Sequence, residues 1–111
     1  MTETIDRSVI TALSESVGDE FVEELIDTFV DEAPGMFQEM QQALSAGDAD
    51  KFRRAAHSLK SNAKTFGAVE LAEKAQELET MARENDLGVG DKLDVLDSVY
   101  QQAVEALRSL K

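Results

Sequence analysis

Apolar residues recur at every third or fourth position through almost the whole of this 111-residue sequence. The longest series begins at Phe21 and keeps one phase as far as Leu44, a spacing that places apolar side chains on one face of an α-helix. No segment alternates apolar and polar residues in the two-residue period that indicates a strand. The sequence therefore predicts an all-α protein, and its length predicts one domain, residues 1–111.

A short first helix is predicted at residues 5–17. Asp6 is a suitable N-cap because its carboxylate can accept a bond from an amide of the first turn, and Gly18 is a suitable end. A helix of this length is not stable in isolation. We therefore expect it to pack against the end of a larger assembly, with Val17 in its apolar series.

The longest helix is predicted at residues 19–46, capped by Asp19. Pro34 interrupts its hydrogen-bond ladder, because proline has no amide to donate to the carbonyl of Val30. The apolar phase is nevertheless the same on both sides of Pro34. We therefore prefer one long kinked helix to the alternative of two helices that meet near Glu32.

Three more helices are predicted after short turns. Gly47 ends the long helix and Asp48 caps the next, which runs to about Phe66 before Gly67. The last two are expected at about 69–85 and 91–109, with an apolar series that continues to Leu110. In the first of these, four carboxylates are expected to face water: Glu70, Glu73, Glu77 and Glu79. Four long helices with short turns predict an up-down-up-down antiparallel four-helix bundle, with its core at about 19–110 and the N-terminal helix as an addition.

The composition excludes several kinds of site. Cysteine is absent and histidine occurs once, so neither a disulfide nor a structural zinc site is expected, and we expect no cofactor. The net charge of −12 argues against nucleic acid, whose phosphates need an extended basic surface. No apolar run is long enough to cross a membrane and no secretory signal is recognisable, so a cytoplasmic protein is expected.

His57 is the single histidine, and helical spacing places it on the polar side of its helix, away from Phe52, Leu59 and Phe66. From Lys51 to Lys64 there are five basic residues and no acidic one. Four polar residues lie about one turn from His57 on the same outer face: Arg53, Lys60, Ser61 and Lys64. Arg54 lies further round the helix, and the sequence assigns it no role.

An exposed imidazole in such a patch suits phosphoryl transfer. Imidazole is a nucleophile when its attacking nitrogen is unprotonated. The neighbouring cations Arg53, Lys60 and Lys64 would then stabilise the dianionic phosphoryl group after its attachment. The pattern therefore favours His57 as a phosphoacceptor, provided that the ring is exposed and the surrounding charges are not cancelled by carboxylates.

The run from His57 to Lys60, His-Ser-Leu-Lys, with Gly67 ten residues after the histidine, resembles the histidine-containing phosphotransfer (HPt) domain. The pattern of that family is H-x-L-[KR]-G, with a second glycine six residues further on. The resemblance covers about residues 19–85, including the mid-helix proline. Ser61 departs from the pattern, because it stands where the family often has glycine.

The resemblance implies that the chain is a phosphorelay intermediate of two-component signalling, which carries a phosphoryl group on a helical bundle. His57 would accept a phosphoryl group from the aspartate of a response-regulator receiver domain and pass it to another. Lys60 would support the phosphoryl group, and Gly67 would permit a tight helix end. Ser61 and Gly67, as small residues, would let the partner approach. The implied partners are response-regulator receiver domains or a hybrid histidine kinase. The chain itself is expected to be a monomer without kinase or phosphatase activity of its own.

Two other hypotheses are open from the sequence. The chain could be an adaptor that binds a receiver or a kinase without carrying phosphate. It could also be a helical-bundle enzyme with a carboxylate metal site, which in such bundles uses inward-facing Glu-x-x-His pairs. The second hypothesis is disfavoured because Arg54 stands three residues before His57, where the glutamate would be, so no metal site is expected.

Overall fold

The computed structural model describes residues 5–109, which form five α-helices and no strand in that range. The helices are α1 (Arg7–Val17), α2 (Asp19–Ala46), α3 (Ala49–Thr65), α4 (Val69–Arg83) and α5 (Lys92–Arg108). The predicted all-α bundle is confirmed: α3 packs most extensively against α4 and then α2, α5 closes the bundle against α4 and α2, and α1 rests on α2. Within 5–109, no helix combines the length and the apolar character needed to cross a bilayer. Leu110, the predicted end of the last apolar series, lies outside the described residues.

The N-terminal helix α1 is held at its first turn. Asp6 caps it as predicted, because its carboxylate accepts a hydrogen bond from the amide of Ser8 at 3.0 Å. The amide of Asp6 donates to the carbonyl of Gly67 at 2.7 Å, and Ile5 just before it is buried. No residue of α1 itself is buried, so this helix is attached to the bundle more by its start than by its length.

The long helix α2 is continuous through Pro34, so the prediction of one helix is confirmed. The prediction that Asp19 caps it is wrong. Gly18 occupies the cap position without a side-chain bond, and Asp19 is the first helical residue. Its carboxylate accepts a hydrogen bond from the hydroxyl of Ser14, so it joins the two helices instead.

The carbonyl of Val30 lies four residues before Pro34 and has no amide donor there. The hydroxyl of Tyr100 on α5 donates to this oxygen at 3.5 Å. The Tyr100 ring packs edge-on against Phe29 and also against Phe37, with ring centroids 5.7 and 5.3 Å away. Burial raises the pKa of the Tyr100 phenol. Tyr100 therefore stabilises the packing of α5 against α2 next to Pro34.

Two glycines end helices in the left-handed conformation. Gly47, with φ of 68°, ends α2, and Asp48 then caps α3 by accepting a bond from the amide of Lys51 at 3.0 Å, as predicted. Gly67, also at φ 68°, lies in the turn between α3 and α4.

One continuous core fills the bundle, with Phe29, Phe52 and Phe66 among its largest fully buried side chains. Two large residues of the predicted apolar series are exposed: Phe21 at 47% and Val17 at 40%. Both lie at the junction of α1 and α2. The apolar periodicity continues there, beyond the part of each helix that packs against the rest of the bundle.

Candidate functional site

His57 lies on the outer side of α3, and its side chain is 55% exposed. The opposite side of the helix carries Phe52, Ala56 and Leu59, all fully buried. Packing of that apolar face against the bundle leaves the histidine outside. The predicted exposure of the ring is therefore confirmed.

One ring nitrogen of His57 has a partner on the neighbouring helix. Nδ1 lies 2.7 Å from Oε2 of Glu79 on α4. Glu79 is only 1% exposed and is the one buried charged residue among those described. The prediction that Glu79 faces water is wrong. It stands four residues after Ala75 and three before Ala82, both buried, so it shares their face of the helix and meets α3.

The contact with Glu79 decides which nitrogen of His57 is available. A carboxylate only accepts hydrogen bonds, so Nδ1 must carry the proton that it donates. In the neutral ring the lone pair is then on Nε2. Nε2 has no hydrogen-bond partner among residues 5–109. The exposed side of the ring is therefore its nucleophilic side.

Two cations also bind Glu79. Nζ of Lys60 donates to Oε1 at 2.5 Å, and a terminal guanidinium nitrogen of Arg83 lies 3.3 Å from Oε2. Burial by itself raises the pKa of the Glu79 carboxyl, but the hydrogen bonds and charges of Lys60 and His57 outweigh it and hold that pKa below its ordinary value. Glu79 is therefore ionised at neutral pH although it is buried.

Lys60 is directed between the helices. Its side chain is only 13% exposed, and its Nζ donates to Oε1 of Gln76 at 3.0 Å as well as to Glu79. The amide of Gln76 in turn donates to the hydroxyl of Thr80 at 3.0 Å. Lys60 thus belongs to a network across α3 and α4 and is turned away from solvent.

The prediction of an uncompensated cationic patch around His57 is wrong. Asp50, one residue before the basic stretch, binds both Arg53 at 2.9 Å and Arg54 at 3.3 Å. With Lys60 held by Glu79, three of the five cations have carboxylate partners. The Asp50 pairs have the ordinary three- and four-residue spacing of helical ion pairs and were overlooked because Asp50 lies just before the basic stretch. Sequence distance hid only the pair with Glu79, which comes from another helix.

The remaining predicted site residues are placed differently. Ser61 is exposed one turn from His57, in accordance with a surface that a partner can approach. Lys64 is exposed, has no carboxylate partner in the described range, and borders an apolar groove next to Val69. Gly67 is buried, and a Cβ on it would lie 2.7 Å from the carbonyl oxygen of Asp6. The close approach that Gly67 permits is therefore that of α1, so it is not a point of partner approach.

Glu79, Gln76 and Arg83 are site residues that the sequence interpretation missed. A signal for Glu79 was present, since a glutamate in phase with Ala75 and Ala82 lies on a buried face. Arg83 follows four residues later on the same face. No group of three or more side chains able to hold a metal ion occurs within residues 5–109.

Comparisons with known proteins show which family and which proteins the chain resembles. Residues 24–110 match the family model of the Hpt domain. The phosphorelay protein LuxU of Vibrio cholerae serotype O1 is 30% identical over 106 residues, 91% of this chain and 94% of LuxU. LuxU of Vibrio vulnificus is 28% identical over 101 residues, 89% of this chain and 88% of the relative. The crystal structure of histidine-containing phosphotransfer protein B (HptB) from Pseudomonas aeruginosa PAO1 superposes with a TM-score of 0.79 at 31% identity, covering 99% of this chain and 92% of HptB.

Proposed function

This chain belongs to the Hpt domain family, and from that premise we propose that it is a phosphorelay intermediate whose phosphoacceptor atom is Nε2 of His57. One observation carries the assignment. The ring is exposed, while a buried and ionised Glu79 fixes its Nδ1 as the protonated nitrogen. Glu79 thereby orients the histidine from the buried side, and Nε2 is available for reaction on the exposed side.

The chemical step is an in-line displacement at phosphorus. The Nε2 lone pair attacks the phosphorus of an aspartyl phosphate in a response-regulator receiver domain. The N–P bond forms, the bond between phosphorus and the aspartyl oxygen breaks, and the aspartate leaves as a carboxylate with the bonding electrons. The ring gains positive charge and keeps its Nδ1 proton, and the charge of Glu79 offsets the gain. The reverse step passes the phosphoryl group to another receiver.

The chain supplies the nucleophile and its orientation, and the partner supplies the rest. We propose no kinase or phosphatase activity of its own, because the sequence has no phosphate-binding glycine loop. The receiver would bring the divalent cation and the aspartate. A hybrid histidine kinase can occupy the same place when its receiver is the donor.

We propose that receivers dock on the exposed side of α3 around His57, Ser61 and Lys64. We propose that the nearby part of α2, about residues 36–40, adds to this surface with its exposed side, since Met40 itself is fully buried. The chain is proposed to act as a monomer. Among residues 5–109, the exposed large apolar residues are Val17 and Phe21, which adjoin at the junction of α1 and α2, and Val69 and Val95 on α4 and α5. A patch of two such residues is ordinary for a monomer surface.

The test is transfer of label from phosphorylated receivers. Wild-type protein is expected to acquire an acid-labile phosphoryl group, and a His57→Gln variant is expected to acquire none. Because the chain has one histidine, detection of phosphohistidine locates the site without peptide mapping. Gln101→Ala is the matched control, since it changes an exposed residue of α5, outside the proposed docking surface, and leaves the ring and Glu79 intact.

Two results would contradict the proposal. Label retained by a folded His57→Gln variant would place the phosphoryl group elsewhere. Binding of a phosphorylated receiver without any transfer, and with equal affinity for wild type and His57→Gln, would instead support a non-phosphorylated adaptor.

A further inference from the structure

We propose that Arg83 is the cation that binds the phosphoryl group on His57, and that Lys60 acts as a positioning residue for Glu79. This inference rests on the proposed function and reverses the role that the sequence resemblance implies for Lys60. It concerns a residue of α4 that lies outside the basic stretch of α3 altogether.

The geometry distinguishes the two cations. Arg83 and the His57 ring bind the same carboxylate oxygen, Oε2 of Glu79, at 3.3 and 2.7 Å. The guanidinium nitrogen is therefore within about 6 Å of Nδ1, since both distances share one atom. Lys60 binds the other oxygen, Oε1, and so approaches the carboxylate from a different side.

Their exposure differs in the same sense. The Lys60 side chain is 13% exposed and donates two hydrogen bonds within the interface of α3 and α4, at 2.5 Å to Glu79 and 3.0 Å to Gln76. The Arg83 side chain is 59% exposed and has one ion pair, at 3.3 Å. A phosphoryl group on Nε2 would be on the exposed side of the ring. Arg83 can turn toward it at the expense of one long contact, whereas Lys60 would have to abandon two short ones.

Phosphorylation provides a reason for Arg83 to move. A dianionic phosphoryl group presents three acceptor oxygens and more charge than a carboxylate, and guanidinium binds such groups through two parallel hydrogen bonds. Glu79 keeps Lys60 and His57 as partners after Arg83 leaves, so its buried charge is still compensated. Glu79 thus binds Arg83 in the unphosphorylated protein, close to the place where the phosphorylated protein needs a cation.

The proposal predicts different effects for the two residues. Arg83→Gln should lower the equilibrium constant for phosphoryl transfer from a receiver to this chain by roughly fivefold, as for the loss of one partly exposed charge-assisted contact. It should leave the ring tautomer unchanged. Lys60→Gln should instead alter the balance of Nδ1–H and Nε2–H forms, because Glu79 loses the partner that fixes it.

The experiment measures both quantities on the full chain. The phosphoryl partition, which is the equilibrium ratio of phosphorylated chain to phosphorylated receiver, is measured with any receiver that labels wild-type protein. The tautomer is measured by the ¹⁵N chemical shifts of His57. Arg54→Gln is the matched control, since Arg54 is also a largely exposed arginine, 67% against 59% for Arg83, and lies 3.3 Å from a carboxylate, that of Asp50. Its partition should stay within about twofold of wild type. Arg83→Lys, which keeps charge but not the paired donors, should restore part of the loss, and thermal unfolding shows that each variant is folded.

The outcomes are distinct. A partition for folded Arg83→Gln equal to that of Arg54→Gln would overturn the role of Arg83. A Lys60→Gln variant with a fivefold loss in partition and an unchanged tautomer would return the phosphoryl-binding role to Lys60. If wild-type protein acquires no label on His57, the proposed function itself has failed, and that is known before any arginine variant is compared.

Discussion

His57 and Glu79 stand 22 residues apart on different helices, and their side chains meet at 2.7 Å between Nδ1 and Oε2. One member of the pair is more than half exposed and the other is almost completely buried. The proposed phosphoacceptor therefore lies on the surface, while the carboxylate that holds its Nδ1 proton is protected from solvent and fixed by packing of α3 against α4.

The first prediction concerns the acceptor on Glu79. Glu79→Ala should slow phosphoryl transfer to His57 by roughly tenfold or more, because Nδ1 loses its partner and the Nε2-protonated ring, which has no lone pair on Nε2 for the attack, gains population. Glu79→Gln should be intermediate, since its amide oxygen still accepts from Nδ1 but carries no charge. The rate of label transfer at one receiver concentration measures the effect. Equal rates for Glu79→Ala and wild type would exclude an orienting role.

The second prediction is a pH dependence of stability. The pKa of Glu79 is below its ordinary value of 4.5 in the folded protein, so its ionised form stabilises the fold at neutral pH. That contribution should be lost as the pH falls below 4.5 and through the lower pKa that Glu79 has in the folded protein. Chemical denaturation between pH 7 and 3 should therefore show a steeper loss for wild type than for Glu79→Gln. Parallel curves would contradict the prediction. Exposed Asp6 and Asp50, whose pKa values are also lowered, contribute equally to both proteins.

The third prediction compares two glycines with the same φ of 68°. Gly47→Ala and Gly67→Ala both place a Cβ in the left-handed region, at a cost of about 1–2 kcal/mol. At Gly47 the added atom meets nothing within 4 Å, whereas at Gly67 it lies 2.7 Å from the carbonyl oxygen of Asp6 and 2.9 Å from Cβ of Val9. Gly67→Ala should therefore lose roughly 1–3 kcal/mol more in the free energy of unfolding.

Chemical denaturation of the two glycine variants provides the measurement. Amide exchange in α1 provides a second one, since the clash would push Asp6 from Gly67 and release the start of that helix. If the two variants are equally destabilised, the contact between α1 and the turn of α3 and α4 contributes nothing to stability.

The fourth prediction concerns encounter with a receiver. Lys64 is exposed and has no carboxylate partner in the described part of the chain, whereas Arg54 is paired with Asp50. Lys64→Gln should slow the second-order rate of transfer by about two- to threefold at low salt, with a smaller difference at high salt, because long-range attraction is screened. Arg54→Gln should have the smaller effect. The same rate loss at all salt concentrations would indicate a direct contact by Lys64 instead.

The helices were predictable because their signals are local. Asp6, Gly47 and Asp48 act within one turn of their own position, and the proline in α2 was correctly judged by the apolar phase on either side of it. Asp19 was misjudged because Gly18 can also occupy a cap position, and the two assignments differ by one residue.

The exposure of His57 was predictable, but the charges around it were not. The sequence showed five cations near the ring and could not show which carboxylates another helix would bring to them. Glu79 is the instructive case, since its phase with Ala75 indicated burial while its charge indicated exposure. Packing decided the matter, because Lys60 and His57 supply the partners that a buried carboxylate needs.

The connection between α3 and α4 is only three residues long, from Phe66 to Ala68, and its middle residue is held by α1. A helix turns by about 100° with each residue. One amino acid inserted into the first turns of α4, before Glu79, would therefore take the counterion of the imidazole round to another side, with every functional side chain still in the sequence. The number of residues from this connection to Glu79 is thus as much a part of the proposed phosphoacceptor site as the histidine is.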